Sequence, residues 1–154
     1  MVALERLSPR LQKHFLDMPC PTFDATPWVT GPPVAQRNVA LVSTAGLHRR
    51  GDLPITPGSP DYRVIPAATP ANDLVMSHVS TNFDRTGFQL DWNVVLPLDR
   101  LRELAQAGEI GSVASRHYSF MGAIGELDGL EPRAAELAQD MRADGVDAAL
   151  LVPV

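Results

Sequence analysis

Two short stretches of this chain hold most of the side chains able to do chemistry. SHVSTNFDR, residues 77–85, follows an apolar run and gathers a histidine, an asparagine, an aspartate and an arginine. Functional loops collect at the carboxyl ends of strands in parallel sheets. His78 could act there as general acid or base, with Asp84 as its orienting carboxylate and Asn82 or Arg85 as substrate ligands. The same residue types also build turns that have no other role. HRRGD, residues 48–52, follows the first strong strand in the same way, and its arginines could bind an anion. A solvated charged loop has the same pattern. In RHYSFMG, residues 116–122, apolar and polar positions alternate, so His117 reads as a core histidine with its ring nitrogens satisfied.

Other chemistries lack a pattern. No two histidines stand four apart and there is no CxxC pair, so no metal site is read from the sequence. Nucleotide cradles of the GxGxxG or GxxxxGKS type are absent, as is a GxSxG nucleophile elbow. The single cysteine, Cys20, lies in a proline-rich stretch and excludes an internal disulfide framework, which fits a reducing, cytoplasmic setting. A net charge of -5 and a pI near 5.2 leave no electrostatic footprint for nucleic acid or an anionic membrane. The N-terminal residues carry scattered charges without a signal-peptide core, and no apolar run approaches a membrane span.

Residues from separate loops need a scaffold that brings them to one edge. At 154 residues, with 45% hydrophobic and 20% charged, the chain can bury the core of one domain. Leu4, Leu7, Leu11 and Phe15 recur at helical spacing, which predicts a short helix over 8–16 opened by Pro9. Pro19, Pro21, Pro27, Pro32 and Pro33 then forbid regular structure, so 1–37 reads as an irregular arm and 38–154 as an α/β domain. Strands are predicted over 38–45, 62–66 and 73–79, with a long Gly/Pro/Asp-rich connection over 46–61.

The second half alternates more clearly. A helix over 99–107 stops at Gly108, a short strand or turn follows over 110–114, and the strongest helix spans 131–143. Pro132 suits its first position, and Ala134, Leu137, Ala138 and Met141 form the inward stripe. DAALLVPV, residues 147–154, then reads as a strand buried on both faces of a parallel sheet. The fold class expected is α/β, Rossmann-like or flavodoxin-like, with a mainly parallel sheet, flanking helices and an incomplete C-terminal end.

Several separated motifs in one order point further. VALVSTAGLHRRGD (39–52), DYRVIP (61–66), SHVSTNFD (77–84), NVVLPLDRLRELAQAGEIGSVASRHYSFMG (93–122) and DGVDAALLVPV (144–154) together resemble the selenoprotein B family of glycine, sarcosine, betaine and D-proline reductases. The resemblance implies that the last strand leads directly into selenocysteine, or cysteine in its place, with a second cysteine shortly after. Selenocysteine is encoded by UGA, normally a stop codon, so a chain read without recoding would end one residue before it. The implied reaction is reductive cleavage of a carbon–nitrogen bond in an amino acid or derivative by that selenol. The implied cofactors are selenocysteine itself and, in some members, a pyruvoyl group on a partner subunit, with none bound in this chain.

On that resemblance the chain is expected to supply the substrate pocket. Thr44, His48 and Arg49 would come from the first loop and Asn82 from the second, with His78 and Asp84 as acid and base, all facing the position after Val154. The expected partners are an amino-acid-like substrate and a partner reductase subunit or thioredoxin-like reductant. A homo-oligomer is also expected, because the last strand would lack its cover. A reading of a different class stays open, a non-catalytic ligand-binding or scaffold α/β domain. Metal-assisted hydrolysis at His48 and His78 is a third.

Overall fold

The computed structural model describes residues 4–18, 22, 24–26, 28–80, 83, 85–124 and 129–154. It divides into two compact units, Met1–Thr30 and Gly31–Val154. The first unit holds a 3-10 turn, Leu4–Arg6, and helix α1, Pro9–Leu16. Ser8 caps α1 by accepting from the Leu11 N–H, and Pro9 sits at the helix start, where its missing N–H costs nothing.

The second unit contains, in chain order, β1 (Asn38–Ser43), β2 (Leu47–Arg49), β3 (Arg63–Pro66), β4 (Leu74–Met76), α2 (Thr86–Leu90), α3 (Leu98–Gln106), β5 (Ser112–Val113), β6 (Arg116–Ser119), α4 (Leu130–Ala143) and β7 (Ala148–Val152). β1 is the axis: every residue after Asn38 is buried. β7 pairs with it in parallel along Val39 to Ser43. β5 and β6 also pair with it in parallel, at Asn38–Val39 and Val42–Ser43 respectively, and must therefore share its other edge. β3 continues beyond β6, antiparallel. The result is a curled, mainly parallel sheet with helices, an α/β fold as the sequence predicts.

The shared edge of β1 is not regular. From Val113 to Tyr118 the chain takes five steps while β1 takes three, from Val39 to Val42, so two residues bulge out. A bulge leaves a β1 amide without its ladder partner, and inside a core that vacancy is costly. His117 fills it: its Nδ1 accepts the Leu41 N–H at 3.0 Å, with both residues fully buried. The expectation of a core histidine holds for Nδ1. Nε2, which must then carry the proton, meets no acceptor.

Period-two alternation along β1 builds two cores. Val39 and Leu41 face a cluster with Leu47, Leu96, Leu98 and Leu101, whereas Val42 faces Tyr118, Phe120 and Leu137. α3 thus covers one face and α4 the other.

Four details differ from the sequence reading. The connection over 46–61 contains β2, three residues too short to show a pattern. The predicted strand over 73–79 is β4, and it pairs antiparallel with β2 in a separate two-stranded sheet instead of joining the parallel one. Of the inward stripe of α4, Leu137 is buried and Met141 packs beside it as expected, whereas Ala134 and Ala138 are exposed and Leu130 completes that face. β7 is not covered on both faces, with Leu150 and Leu151 44% and 69% exposed, and its edge is open too, β1 being its one strand partner among the described residues. No helix of the described residues is long and apolar enough to cross a membrane.

Burial, with the charge of Arg102, pushes the His117 imidazole down from 6.5 to about 4. The folded state therefore refuses a proton that the unfolded chain accepts, so stability is complete above pH 6.5 and falls as pH drops toward 4, by up to about 3 kcal/mol. Urea unfolding across that range should show the loss, and His117→Gln, which keeps an acceptor but cannot titrate, should remove about one proton from the slope. His48 and His78, both also lowered, contribute to the remainder, as do the aspartates held low by their partners, Asp52, Asp99 and Asp144 among them. An identical slope in the variant would refute the assignment.

Candidate functional site

Three chain segments meet just past the carboxyl end of β1. Thr44 donates its N–H to the Val152 carbonyl at 3.1 Å, and its hydroxyl oxygen accepts the Val154 N–H at 2.8 Å. Thr44 thus holds the segment beyond β7 against the end of β1. Gly46 has φ of +65°, a region that L side chains rarely adopt, and donates its N–H to the Phe120 carbonyl while accepting the Ser77 N–H, each at 2.8 Å. A Cβ there would lie 3.0 Å from the His78 nitrogen. Gly122 is as constrained, since a Cβ on it would meet the carbonyl oxygens of Thr44 and Val154, both at 2.8 Å. Two buried hydroxyls finish the junction: Ser43 Oγ accepts the Ala45 N–H and Ser119 Oγ the Leu47 N–H.

His78 is 5% exposed and follows β4 into this junction. Its Nδ1 accepts the Ser80 N–H at 3.3 Å, which leaves the proton on Nε2. The Val154 carbonyl faces the ring closely enough to favour its charged form, yet no hydrogen bond of ordinary geometry reaches Nε2. Burial outweighs that carbonyl, and Arg85, which donates to the His78 backbone carbonyl, adds to the downward shift. The ring therefore stands neutral at pH 7 as a buried N–H donor beside Val154. Phe83 packs against it with ring centroids 5.2 Å apart.

His48 lies on β2, 5% exposed, with Nδ1 3.1 Å from Ser77 Oγ. Burial lowers its pKa, Arg63 adds to this, and the Gly46 carbonyl and Asp52 oppose it. Ser77 joins the two histidines in sequence and in contact, a link that sequence reading did not single out.

Arg49 is not brought to this junction. It pairs with Leu74 at the end of the β2–β4 ribbon away from Met76, and its guanidinium grips Asp52 at 3.0 and 3.1 Å. There it borders a separate open cavity of about 400 Å³ with Arg50, Thr69 and Asp73. Asn82 and Asp84 lie outside the described residues, as does Cys20. Among the described residues no group of three or more His, Cys, Asp or Glu could hold a metal ion.

A second feature of the junction had no candidate in the sequence. Outside the ends of β1 and β6 opens a crevice of about 350 Å³, walled by Thr44, Phe120, Met121, Ile124, Leu130 and Ala134, with Gly122 at its edge. Such crevices are where ligands bind in α/β sheets. Gly122, closing an alternating segment, was the available signal.

Comparison with known proteins settles the family. The profile of the glycine/sarcosine/betaine reductase selenoprotein B family matches residues 61–154. The chain belongs to that family. It is 34% identical over 133 residues to a D-proline reductase subunit gamma of Acetoanaerobium sticklandii, covering 80% of this chain and 54% of the relative. It is 28% identical over 165 residues to a glycine reductase complex component B subunit gamma of Symbiobacterium thermophilum, covering 97% and 36%. A protein of the same description from Carboxydothermus hydrogenoformans is 26% identical over 149 residues, covering 88% and 32%. The chain thus spans about half, or less, of the length of these relatives. No solved structure matches.

Gly46→Ala should cost about 3 kcal/mol of stability, because strain at positive φ adds to a clash with the His78 backbone. Gly145→Ala, at φ +69° in open space, carries only the first cost, about 1 kcal/mol. Denaturant titration of the two variants checks this, and equal losses would remove the close approach as a constraint.

Proposed function

We propose that this chain forms the substrate-binding part of a reductase that cleaves a carbon–nitrogen bond in an amino acid or amino-acid derivative. In this reading the residue directly after Val154 is a selenocysteine or cysteine nucleophile. What carries the proposal is the seat of Val154, with its N–H on Thr44 and its carbonyl beside His78 and Gly122, in a chain of the selenoprotein B family. The names of the relatives, a D-proline reductase subunit and glycine reductase complex components, supply amino-acid substrates and the company of other subunits.

The selenolate or thiolate bonds to the substrate carbon as the carbon–nitrogen bond breaks, and the electron pair leaves with nitrogen. A substrate nitrogen that enters as ammonium leaves as the neutral amine with that pair, and His78, neutral with its proton on Nε2, is placed to give a hydrogen bond at the reacting centre; to serve as the acid it would first have to be charged, since a neutral ring that lost this proton would be left as imidazolate. Thr44 is a positioning residue, since its hydroxyl is engaged by Val154, and His48 steadies the His78 segment through Ser77. Asn82 as substrate ligand and Asp84 as orienting carboxylate remain part of the proposal. Arg49 does not, because Asp52 already holds its guanidinium. The thiolate of a neighbouring cysteine would then attack the selenium or sulfur of that adduct, its bond to carbon breaking with the electron pair going to carbon, which takes up a proton as the reduced product; a thioredoxin-like dithiol would reduce the Se–S or S–S bond so formed, and a pyruvoyl group, where used, belongs to a partner subunit. A cytoplasmic setting fits this thiol chemistry.

The 154-residue chain alone should not turn over glycine, betaine, sarcosine or D-proline with dithiol donors. Extended through its own downstream codons with the nucleophile in place, and supplied with its partner subunits, it should turn one of them over. His78→Leu in that protein, which removes the N–H donor, should lower kcat about 100-fold with little change in KM. Turnover by the 154-residue chain, abolished by Cys20→Ser, would overturn the proposal.

Self-association belongs to the same reading, through the open edge of β7 with its exposed Leu150 and Leu151. Light scattering over a concentration series should show mass rising with concentration, and Leu151→Lys should suppress the rise. A strict monomer at every concentration would rule it out.

A further inference from the structure

The open cavity at the far end of the β2–β4 ribbon lies away from the junction and carries charges that the proposed reaction does not use. It holds about 400 Å³, the size of a small-ligand site, and its lining comes from two segments, 49–52 and 66–73, each described without a gap. Backbone hydrogen bonds fix both segments. The Arg50 N–H donates to the Asp73 carbonyl at 2.6 Å, and the Asp52 N–H to the Arg49 carbonyl at 3.0 Å. In the second segment the Ala67 N–H donates to the Ser115 carbonyl, the Thr69 N–H to that of Pro66 and the Asp73 N–H to that of Pro70, at 2.8, 2.9 and 3.0 Å. Pro66 and Pro70 stiffen this wall further. The space is therefore formed before any ligand arrives.

Its side chains divide into charges already matched and charges left over. Arg49 closes two arms of its guanidinium on Asp52. Arg50 gives one N–H to the Asn72 carbonyl at 3.1 Å, and neither its guanidinium nor the Asp73 carboxylate joins an ion pair among the described residues. The two residues share a backbone hydrogen bond, yet their side chains do not neutralise each other. Thr69 is 9% exposed, and its hydroxyl makes no hydrogen bond among the described residues while staying open to solvent. A cation, an anion and a hydroxyl thus border one preformed space with hydrogen bonds to spare.

We propose that this cavity is a second ligand site, separate from the reacting centre, for a small zwitterion whose carboxylate is taken by Arg50 and Thr69 and whose ammonium is taken by Asp73. A guanidinium edge and a hydroxyl suit a carboxylate, and a carboxylate suits an ammonium. A simple anion would gain Arg50 but meet the Asp73 carboxylate, and a simple cation faces the same conflict in reverse. Charge contacts near solvent are each worth up to about fivefold in affinity, so binding is expected in the millimolar range and selectivity comes from matching both charges at once. The site stands independently of the reductase reading.

L-alanine, lactate and alaninamide share a carbon skeleton and differ in charge, the first carrying both signs, the second only the carboxylate and the third only the ammonium. NMR titration of the isotope-labelled 154-residue chain should show alanine shifting Arg50, Thr69 and Asp73 at concentrations about fivefold below those of either analogue. Arg50→Gln should remove the advantage of alanine over alaninamide and keep its advantage over lactate. Asp73→Asn should do the opposite, with the far-UV circular dichroism of both variants unchanged. A general loss of structure would weaken all three compounds together and could not produce that split. The comparison of the three compounds on the unaltered chain decides the matter even where a variant fails to fold. Lactate or alaninamide binding as tightly as alanine, shifts confined to the junction around Thr44 and His78, equal weakening of all three compounds in a folded variant, or no binding of alanine at about 0.1 M would each overturn the proposal.

Discussion

The organisation of this protein depends on one close approach of backbone, at Thr44 to Gly46. β1, β6 and β7 run in parallel and would simply fray at their carboxyl ends, yet here those ends are knitted together. Thr44 holds Val152 and Val154, Gly46 holds Phe120 and Ser77, and Gly122 packs on the carbonyls of Thr44 and Val154. Two glycines make this possible for different reasons. Gly46 needs a positive φ as well as space, whereas Gly122 needs only space. A side chain at either position would push apart segments that are distant in sequence.

That junction is only as firm as the strand leading to it. β1 is paired on both edges and buried along its length, but the bulge between β5 and β6 removes one of its ladder contacts. His117 restores that contact with a ring nitrogen and so keeps Leu41 hydrogen-bonded in the middle of the core. A core histidine is thereby part of the path from sheet to site, although it touches no candidate ligand. The bulge also shifts β6 by two residues relative to β1, which brings Phe120, Met121 and Gly122 level with Ser43 to Gly46. Without it these wall residues would stand two positions further along the edge.

Much of this was legible where a pattern extends over many residues. The helix start at Ser8–Pro9, the apolar run of β1, the stop at Gly108 and the strand at the chain's end all announce themselves by period, cap or glycine. β2 and α2 did not, because three to five residues carry too little periodicity. The pairing of β4 was missed for a deeper reason: an apolar run does not encode its partner, and β2 took it antiparallel. His78 nevertheless arrives beside Val154, brought there by Gly46 at the head of a ribbon and not by the edge of a parallel sheet. The separation of Arg49 from His48 is likewise a matter of ribbon geometry, since neighbours on a strand face opposite ways and Asp52 lies three residues on. The crevice was invisible because its walls are core-type residues, and only their position at a strand end distinguishes them from core.

The electrostatics of the junction narrow the chemistry it can perform. Both buried histidines are shifted downward by loss of water, so at neutral pH they are neutral donors and acceptors and not cations. In the proposed reading an anionic nucleophile after Val154 would find a hydrogen-bond donor in His78 Nε2, with the Arg85 guanidinium held on the same segment by the His78 carbonyl. A selenol ionises at neutral pH without help, whereas a cysteine in the same place needs a nearby cation or helix terminus to lower its pKa. In the proposed reading a neutral His78 gives a hydrogen bond at the reacting centre, while the departing nitrogen takes with it the proton that it brought as an ammonium. On that reading the acidity of the nucleophile would rest on its own chemistry and on the Arg85 guanidinium carried by the same segment.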